Sequence, residues 1–192
     1  MTAPAAAGLI LAAGASTRFG TDKLAAVVRG RTMLQHVVDA AADAGLRPVV
    51  VVIARQRTEL DLRGARPVLN PEPARGLSSS LAVGLAALEQ EHGVERVLVL
   101  LGDQPLVAQT AIGRLLAAAR DPSRPITVPR YQDGLAGNPV LIDRAAWPLA
   151  TALGGDRGMS QLFETRDDLV RYVEVAGVNP DVDTPADLAR LR

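Results

Sequence analysis

At 192 residues and 20.1 kDa the chain is long enough to bury a core without disulfides or a structural metal, and its 48% hydrophobic and 22% charged residues are a globular balance. Its 21 basic residues match its 21 acidic ones, which argues against a nucleic-acid or anionic-membrane coat, and aromatics at 3% leave no base-stacking platform. Without cysteine there is no disulfide framework, thiolate metal site or cysteine nucleophile.

The apolar run 5–13 has no basic residue before it and ends in Gly14-Ala15-Ser16. It reads as a buried first strand rather than a signal peptide, so a cytoplasmic protein is expected. No apolar span is long enough to cross a membrane. Ala7–Leu11, Val49–Ile53 and Val97–Leu101 are continuous apolar runs, the pattern of strands covered on both faces in a parallel sheet, and Pro67–Leu69 is a shorter one. Helical periodicity lies between them, over Thr32–Ala44 with Thr32 as N-cap and Gly45 past the end, over Ser78–Glu91, and over Val107–Arg120. After residue 121 prolines punctuate the chain. Ile126–Val128 and Pro139–Ile142, separated by Gly134 and Gly137, suggest an antiparallel, hairpin-like excursion. A last strand over Leu169–Val175 precedes Thr184-Pro185, an N-cap followed by proline at the first helical position. The alternation predicts an α/β fold: a single doubly wound, mostly parallel sheet with helices on both faces and a small excursion.

The segment from Leu11 to Lys23, LAAGASTRFGTDK, follows the first strand at once, where such sheets offer ligands their carboxyl-end crevice. Glycines and small residues expose backbone N–H groups to anionic oxygens, and Arg18 and Lys23 add full positive charge. The loop fits neither the dinucleotide fingerprint, because position 16 is Ser, nor the P-loop, because five residues separate Gly14 from Gly20. Lys23 is the only lysine among the 21 basic residues. A compact ammonium suits phosphate oxygens, although one lysine must fall somewhere by chance.

These residues resemble the LAAGxSxRxGxxK signature of the nucleotidyltransferases that mature the molybdenum cofactor. Asn70-Pro71 with Arg75-Gly76-Leu77-Ser78-Ser79-Ser80-Leu81 is similar to the family's N…GxxSSL region. Leu101-Gly102-Asp103-Gln104-Pro105 resembles its LGDQP metal segment, and Asp181-Val182-Asp183-Thr184-Pro185-Ala186-Asp187-Leu188 its DxDTPxDL terminus. Ala12-Ala13, GDQP and Gly154–Gly158 look most like the cytidylyl group. The chain departs from it at Gly137-Asn138-Pro139-Val140, where relatives read GHPV, and at Met159-Ser160, where they carry a small and a basic residue.

The resemblance implies a Rossmann-like nucleotidyltransferase fold in one domain over 1–192, with a nucleotide-binding half over about 1–120 and an acceptor half over about 121–192. It implies Mg²⁺-dependent transfer (Mn²⁺ as alternative) of CMP from CTP to a phosphate of a pterin-type molybdenum cofactor, with a molybdenum enzyme or its chaperone as a further partner. Arg18, Lys23 and Asp103 would be catalytic and Asp103 and Asp183 would hold the metal. Leu11, Ala12, Ala13, Gly14, Ala15, Ser16, Arg18, Lys23, Asn70, Gly76, Ser79, Ser80, Gly102 and Asp103 would bind the nucleotide, and Asn138, Asp156 and Arg157 the acceptor. Transfer to a triphosphate's α-phosphorus brings two anions together, so neutralising and positioning groups suffice and no covalent nucleophile is required. Replacing Lys23 should then weaken nucleotide binding and leave folding nearly untouched. Plainer roles compete: Asp103 could cap the helix near Val107, Asp183 could be a turn residue, Ser78–Ser80 could open a helix, and Arg157 could be a surface ion-pair member. His36 and His92, apart from these motifs, read as structural. A nucleotide-binding regulator and an oxidoreductase on the same scaffold are the competing functions.

Overall fold

A computed structural model describes residues 6–54, 61–156 and 158–191. In chain order these form strand β1 (Ala6–Ala12), a small antiparallel ribbon of β2 (Val27–Val28) and β3 (Arg31–Thr32), helix α1 (Met33–Asp43), β4 (Val49–Ile53), β5 (Arg66–Leu69), α2 (Leu77–Glu89), β6 (Arg96–Leu101), α3 (Gln109–Ala117), β7 (Ile126–Arg130), β8 (Val140–Asp143), α4 (Trp147–Thr151), α5 (Ser160–Thr165), β9 (Val170–Glu174) and α6 (Pro185–Ala189). Seven strands make one sheet in the order β5-β4-β1-β6-β8-β7-β9. Only β8 runs against the rest: it pairs antiparallel with β6 and with β7, whereas β9 returns parallel to β7.

Alternation along β1 sets the two layers. Ala7, Leu9 and Leu11 face one side with Leu81, Leu85 and Leu88 of α2, while Ile10 and Ala12 face the other with Leu34, Val37 and Ala41 of α1 and Ile112 and Leu115 of α3. Each fully buried leucine contributes about 1.5–3 kcal/mol, so the two covered faces carry most of the stability. The α2 helix lies close to the sheet because Gly84 has no side chain; a Cβ there would collide with the Leu9 side chain. Thr32 caps α1, its hydroxyl accepting from the Gln35 N–H at 3.2 Å, and Thr184 caps α6 in a reciprocal capping box with Asp187.

The structure departs from the sequence reading in three places. The excursion is no appendage, because β8 and β7 extend the same sheet beyond β6. Helix α3 is shorter than its periodicity: Ala108 is extended before it, and the buried Arg96 side chain takes the carbonyls of Leu115, Leu116 and Ala118 at its end. The short helices α4 and α5 and the β2–β3 ribbon carry too few residues to leave a periodic signal. His36 is structural, with Nε2 2.7 Å from the Val28 carbonyl, and His92 is exposed. No helix among the described residues is long and apolar enough to cross a membrane.

Candidate active site

Strands β1 and β6 are parallel neighbours with Leu11 opposite Leu101, so the segments after them emerge side by side. Gly102 makes this approach possible; its N–H donates to the Leu11 carbonyl at 2.9 Å, and a Cβ there would stand 3.2 Å from that oxygen and from the Ala12 Cβ. After β1 the chain turns at Ser16, a non-glycine residue at φ +55. The Ser16 carbonyl accepts from the Phe19 N–H at 3.0 Å and its hydroxyl from the Lys23 N–H at 3.3 Å. Strain of this kind gathers at ligand-binding sites. Asp22 then caps a short 3₁₀ turn, Lys23–Ala25, accepting from the Leu24 N–H.

That turn aims Lys23 inward. Its Nζ donates to Asp103 Oδ2 at 2.6 Å and to Asp183 Oδ1 at 2.9 Å, while Arg18 Nη2 pairs with Asp183 Oδ2 at 2.8 Å. Lys23 is only 9% exposed. Burial works to lower its pKa, but the carboxylates of Asp103 and Asp183 outweigh it and hold the ammonium above its ordinary value. Lys23 is therefore no free loop cation, and the expectation that folding ignores it needs correction: it is a buried, doubly paired group whose loss leaves two carboxylates facing each other. Asp103 does not cap α3, whose cap position is Ala108. Asp183 does precede the Thr184 cap, yet it stands nine residues beyond the end of β9 rather than at the strand's end.

The described residues bound two adjoining hollows. One, of about 460 Å³, is lined by Leu11 through Arg18, Lys23, Gly76, Ser80, Asp103 and Asp183. The other, of about 490 Å³, lies under the β7–β8 loop and is walled by Tyr131, Asn138, Met159, Phe163 and Asn179. Asp156 and Asp181 border both. Desolvation in this cleft, then the nearby Asp103 and Asp183, push the Asp181 carboxyl above its usual range even though one edge stays open to the hollow. The carboxylates of Asp103 and Asp183, both within hydrogen-bond reach of one cation, are an oxygen donor set suited to a hard divalent ion.

Not every expected residue reaches the first hollow. Asn70 is buried at 3% exposure; its Nδ2 donates to Ser79 Oγ and Ser80 Oγ, and its Oδ1 accepts from the Glu72 N–H. Asn70 and Ser79 thus tie down the segment carrying Gly76, and of the serines Ser80 lines the hollow. Gly102 lies behind the lining, packed on β1. Asn138 and Asp156 border the second hollow, and Arg157 lies outside the described residues. Gln104 and Asp181 were not singled out as site residues. Their only signal was adjacency to Asp103 and Asp183 within motifs already recognised. Tyr131 and Asn179 gave none.

The chain is 31% identical over 202 residues to nicotine blue oxidoreductase of Paenarthrobacter nicotinovorans, covering 98% of this chain and 97% of that one. It is 32% identical over 136 residues to a probable molybdenum cofactor guanylyltransferase of Opitutus terrae, covering 69% of this chain and 63% of that one. The crystal structure of Rv0371c from Mycobacterium tuberculosis H37Rv superposes with a TM-score of 0.87 at 34% identity, covering 100% of this chain and 98% of that one. A manganese complex of Rv0371c superposes at 0.82 with 30% identity and 97% coverage of both chains. Residues 8–171 match the model of the MobA-like NTP transferase domain, and the chain belongs to that family.

Proposed function

We propose that this nucleotidyltransferase-family chain moves CMP from CTP to a phosphate of a pterin-type molybdenum cofactor, releasing pyrophosphate. The observation that carries the reading is the Lys23 ammonium held between Asp103 and Asp183, with Arg18 beside it, at the mouth of the β1 loop. Asp103 and Asp183 would hold Mg²⁺, or Mn²⁺, which when bound neutralises charge between the reacting phosphates. The amides of Ala13 to Ser16 receive the triphosphate. Arg18 and Lys23 hold its outer phosphates and stabilise the charge that develops on departing pyrophosphate, so these groups supply positioning and electrostatics rather than a covalent intermediate.

The acceptor belongs in the second hollow, with Asn138 and Asp156 on its wall and Arg157 next in sequence. On this reading the whole chain is one domain that couples the two hollows at Asp156 and Asp181. It works in the cytoplasm, where nucleoside triphosphates are supplied, and hands its product to a molybdenum enzyme or its chaperone. The likeness to a named molybdenum cofactor guanylyltransferase supports the acceptor class and leaves the base to Ala12 and Ala13.

The identity with nicotine blue oxidoreductase over nearly its whole length favours a second reading, electron transfer on the same scaffold. Pyrophosphate release from CTP, GTP, ATP and UTP with Mg²⁺ and a pterin phosphate separates the two. Release fastest with CTP is expected. No release with any nucleotide, together with catalysed electron transfer from an added reductant to an added dye acceptor, would replace the first reading by the second.

A further inference from the structure

Strand β9 ends at Glu174 on the outer edge of the sheet, with β7 and β8 between it and β6. Strands lie about 4.8 Å apart, so the chain must cross back roughly 15 Å before Asp183 can stand beside Asp103. Strand pairing does not bring it there. The crossing is held in part by Asn179, whose Nδ2 donates to the Asn138 carbonyl at 3.1 Å, and in part by Gln104, 6% exposed and next to Asp103. Its Nε2 donates to Asp181 Oδ1 at 2.8 Å and to the Asn179 carbonyl at 3.3 Å, and its Oε1 accepts from Asn179 Nδ2 at 2.9 Å. Between the two aspartates of the returning segment, the Val182 N–H donates to the Asp103 carbonyl at 3.1 Å.

The geometry points to Gln104 as a positioning residue that sets the spacing at which Asp103 and Asp183 share one cation; this rests on reading that pair as the metal site. The amide is suited to the task because the segment offers it two acceptors and one donor, and an amide supplies the complementary two donors and one acceptor. Gln104→Glu keeps the shape but sets a carboxylate against Asp181 Oδ1 and the Asn179 carbonyl, which both need a donor. Gln104→Met keeps the volume and removes all three bonds. Although Gln104 borders the second hollow, its polar atoms are engaged by residues 179–181.

The test is a titration of the full chain with Mn²⁺ alone, following free Mn²⁺ by electron paramagnetic resonance, with hydrogen exchange over 176–184 and metal-free CTP binding measured in parallel. Partners that orient metal ligands typically matter by 10–100-fold in metal affinity. The Mn²⁺ dissociation constant should rise about tenfold in Gln104→Met and further in Gln104→Glu. Exchange over 176–184 should quicken while metal-free CTP affinity stays within about twofold, because Arg18 and Lys23 remain. Asn179→Ala, which removes the bond to Gln104 Oε1 together with one to the Asn138 carbonyl, should give a smaller loss and stands in if the Gln104 variants do not fold. An unchanged Mn²⁺ constant in a folded variant, or a wild type that binds no Mn²⁺, overturns the proposal. A wild type that binds Mn²⁺ but releases no pyrophosphate would sink the transfer reading and leave the positioning role standing.

Discussion

Lys23 Nζ lies 2.6 Å from Asp103 Oδ2, and the same ammonium reaches Asp183 Oδ1 at 2.9 Å, so one buried cation joins carboxylates from distant parts of the chain. An ammonium and a divalent ion would compete for the same oxygens. Triphosphate oxygens offer Lys23 other partners, so nucleotide and metal should each make room for the other.

Lys23→Met should therefore affect stability and binding together. Leaving Asp103 without its ammonium, and Asp183 with Arg18 alone, should cost about 1–3 kcal/mol in urea unfolding, and nucleotide affinity should fall by about 1.5–3 kcal/mol, the range for charge-assisted hydrogen bonds. Unfolding curves and calorimetric titration with CTP check the two numbers. Wild-type stability in the variant would show that the paired ammonium holds nothing together.

The sign reverses for metal alone. Without the competing ammonium, Lys23→Met should bind Mn²⁺ more tightly than wild type in the absence of nucleotide, and the gain should shrink once CTP is present. Linkage requires the coupling to be reciprocal. Weaker Mn²⁺ binding by the variant would mean that Lys23 supports the ion rather than standing in its place.

Asp103→Asn and Asp183→Asn should each abolish Mg²⁺-dependent pyrophosphate release while nucleotide still binds through Arg18, Lys23 and the loop amides. The double variant should be no worse than either single one, because both groups serve one ion. Additive losses would place the two carboxylates in separate roles.

The nucleotide base is expected to be cytosine. Ala12 and Ala13, 3% and 4% exposed, line the first hollow, and the pair belongs to the segment that resembles the cytidylyl group. Competition binding should rank CTP above GTP, and Ala13→Gly should narrow the gap. GTP binding tighter than CTP to the wild type refutes the assignment.

Away from the site, Asp39 should govern part of the acid stability. Burial works to raise its pKa, but the Gln35 amide and the guanidinium groups of Arg31 and Arg63 outweigh it and hold the carboxyl below its ordinary value. A depressed carboxyl stabilises the fold above its unfolded pKa of about 3.9 and loses that contribution as pH falls through the folded value. Asp39→Asn should thus be less stable than wild type at pH 7, with the difference closing as pH drops below about 4. A gap in urea midpoint that stays constant with pH would contradict this.

Local chemistry settled a good deal in advance. Val49–Ile53 is a strand with the bounds its apolar run shows, because a strand covered on both faces needs every side chain apolar. The caps at Thr32 and Thr184 were legible because a hydroxyl meets its N–H within three residues. The loop from Leu11 to Lys23 stood out in sequence by its glycines and small residues, and Leu11 through Arg18 with Lys23 line the first hollow. Long-range placement was another matter. The sequence named Asp103 and Asp183, but only the tertiary fold turned Lys23 inward between them, a consequence of the β1–β6 pairing and the Asp22 cap. It alone took Asn70 and Ser79 out of the hollow into a supporting knot. It alone sent the chain from β9 back across the sheet to Gln104, because a hydrogen-bonding amide looks the same in sequence whether it meets solvent or a segment 75 residues away.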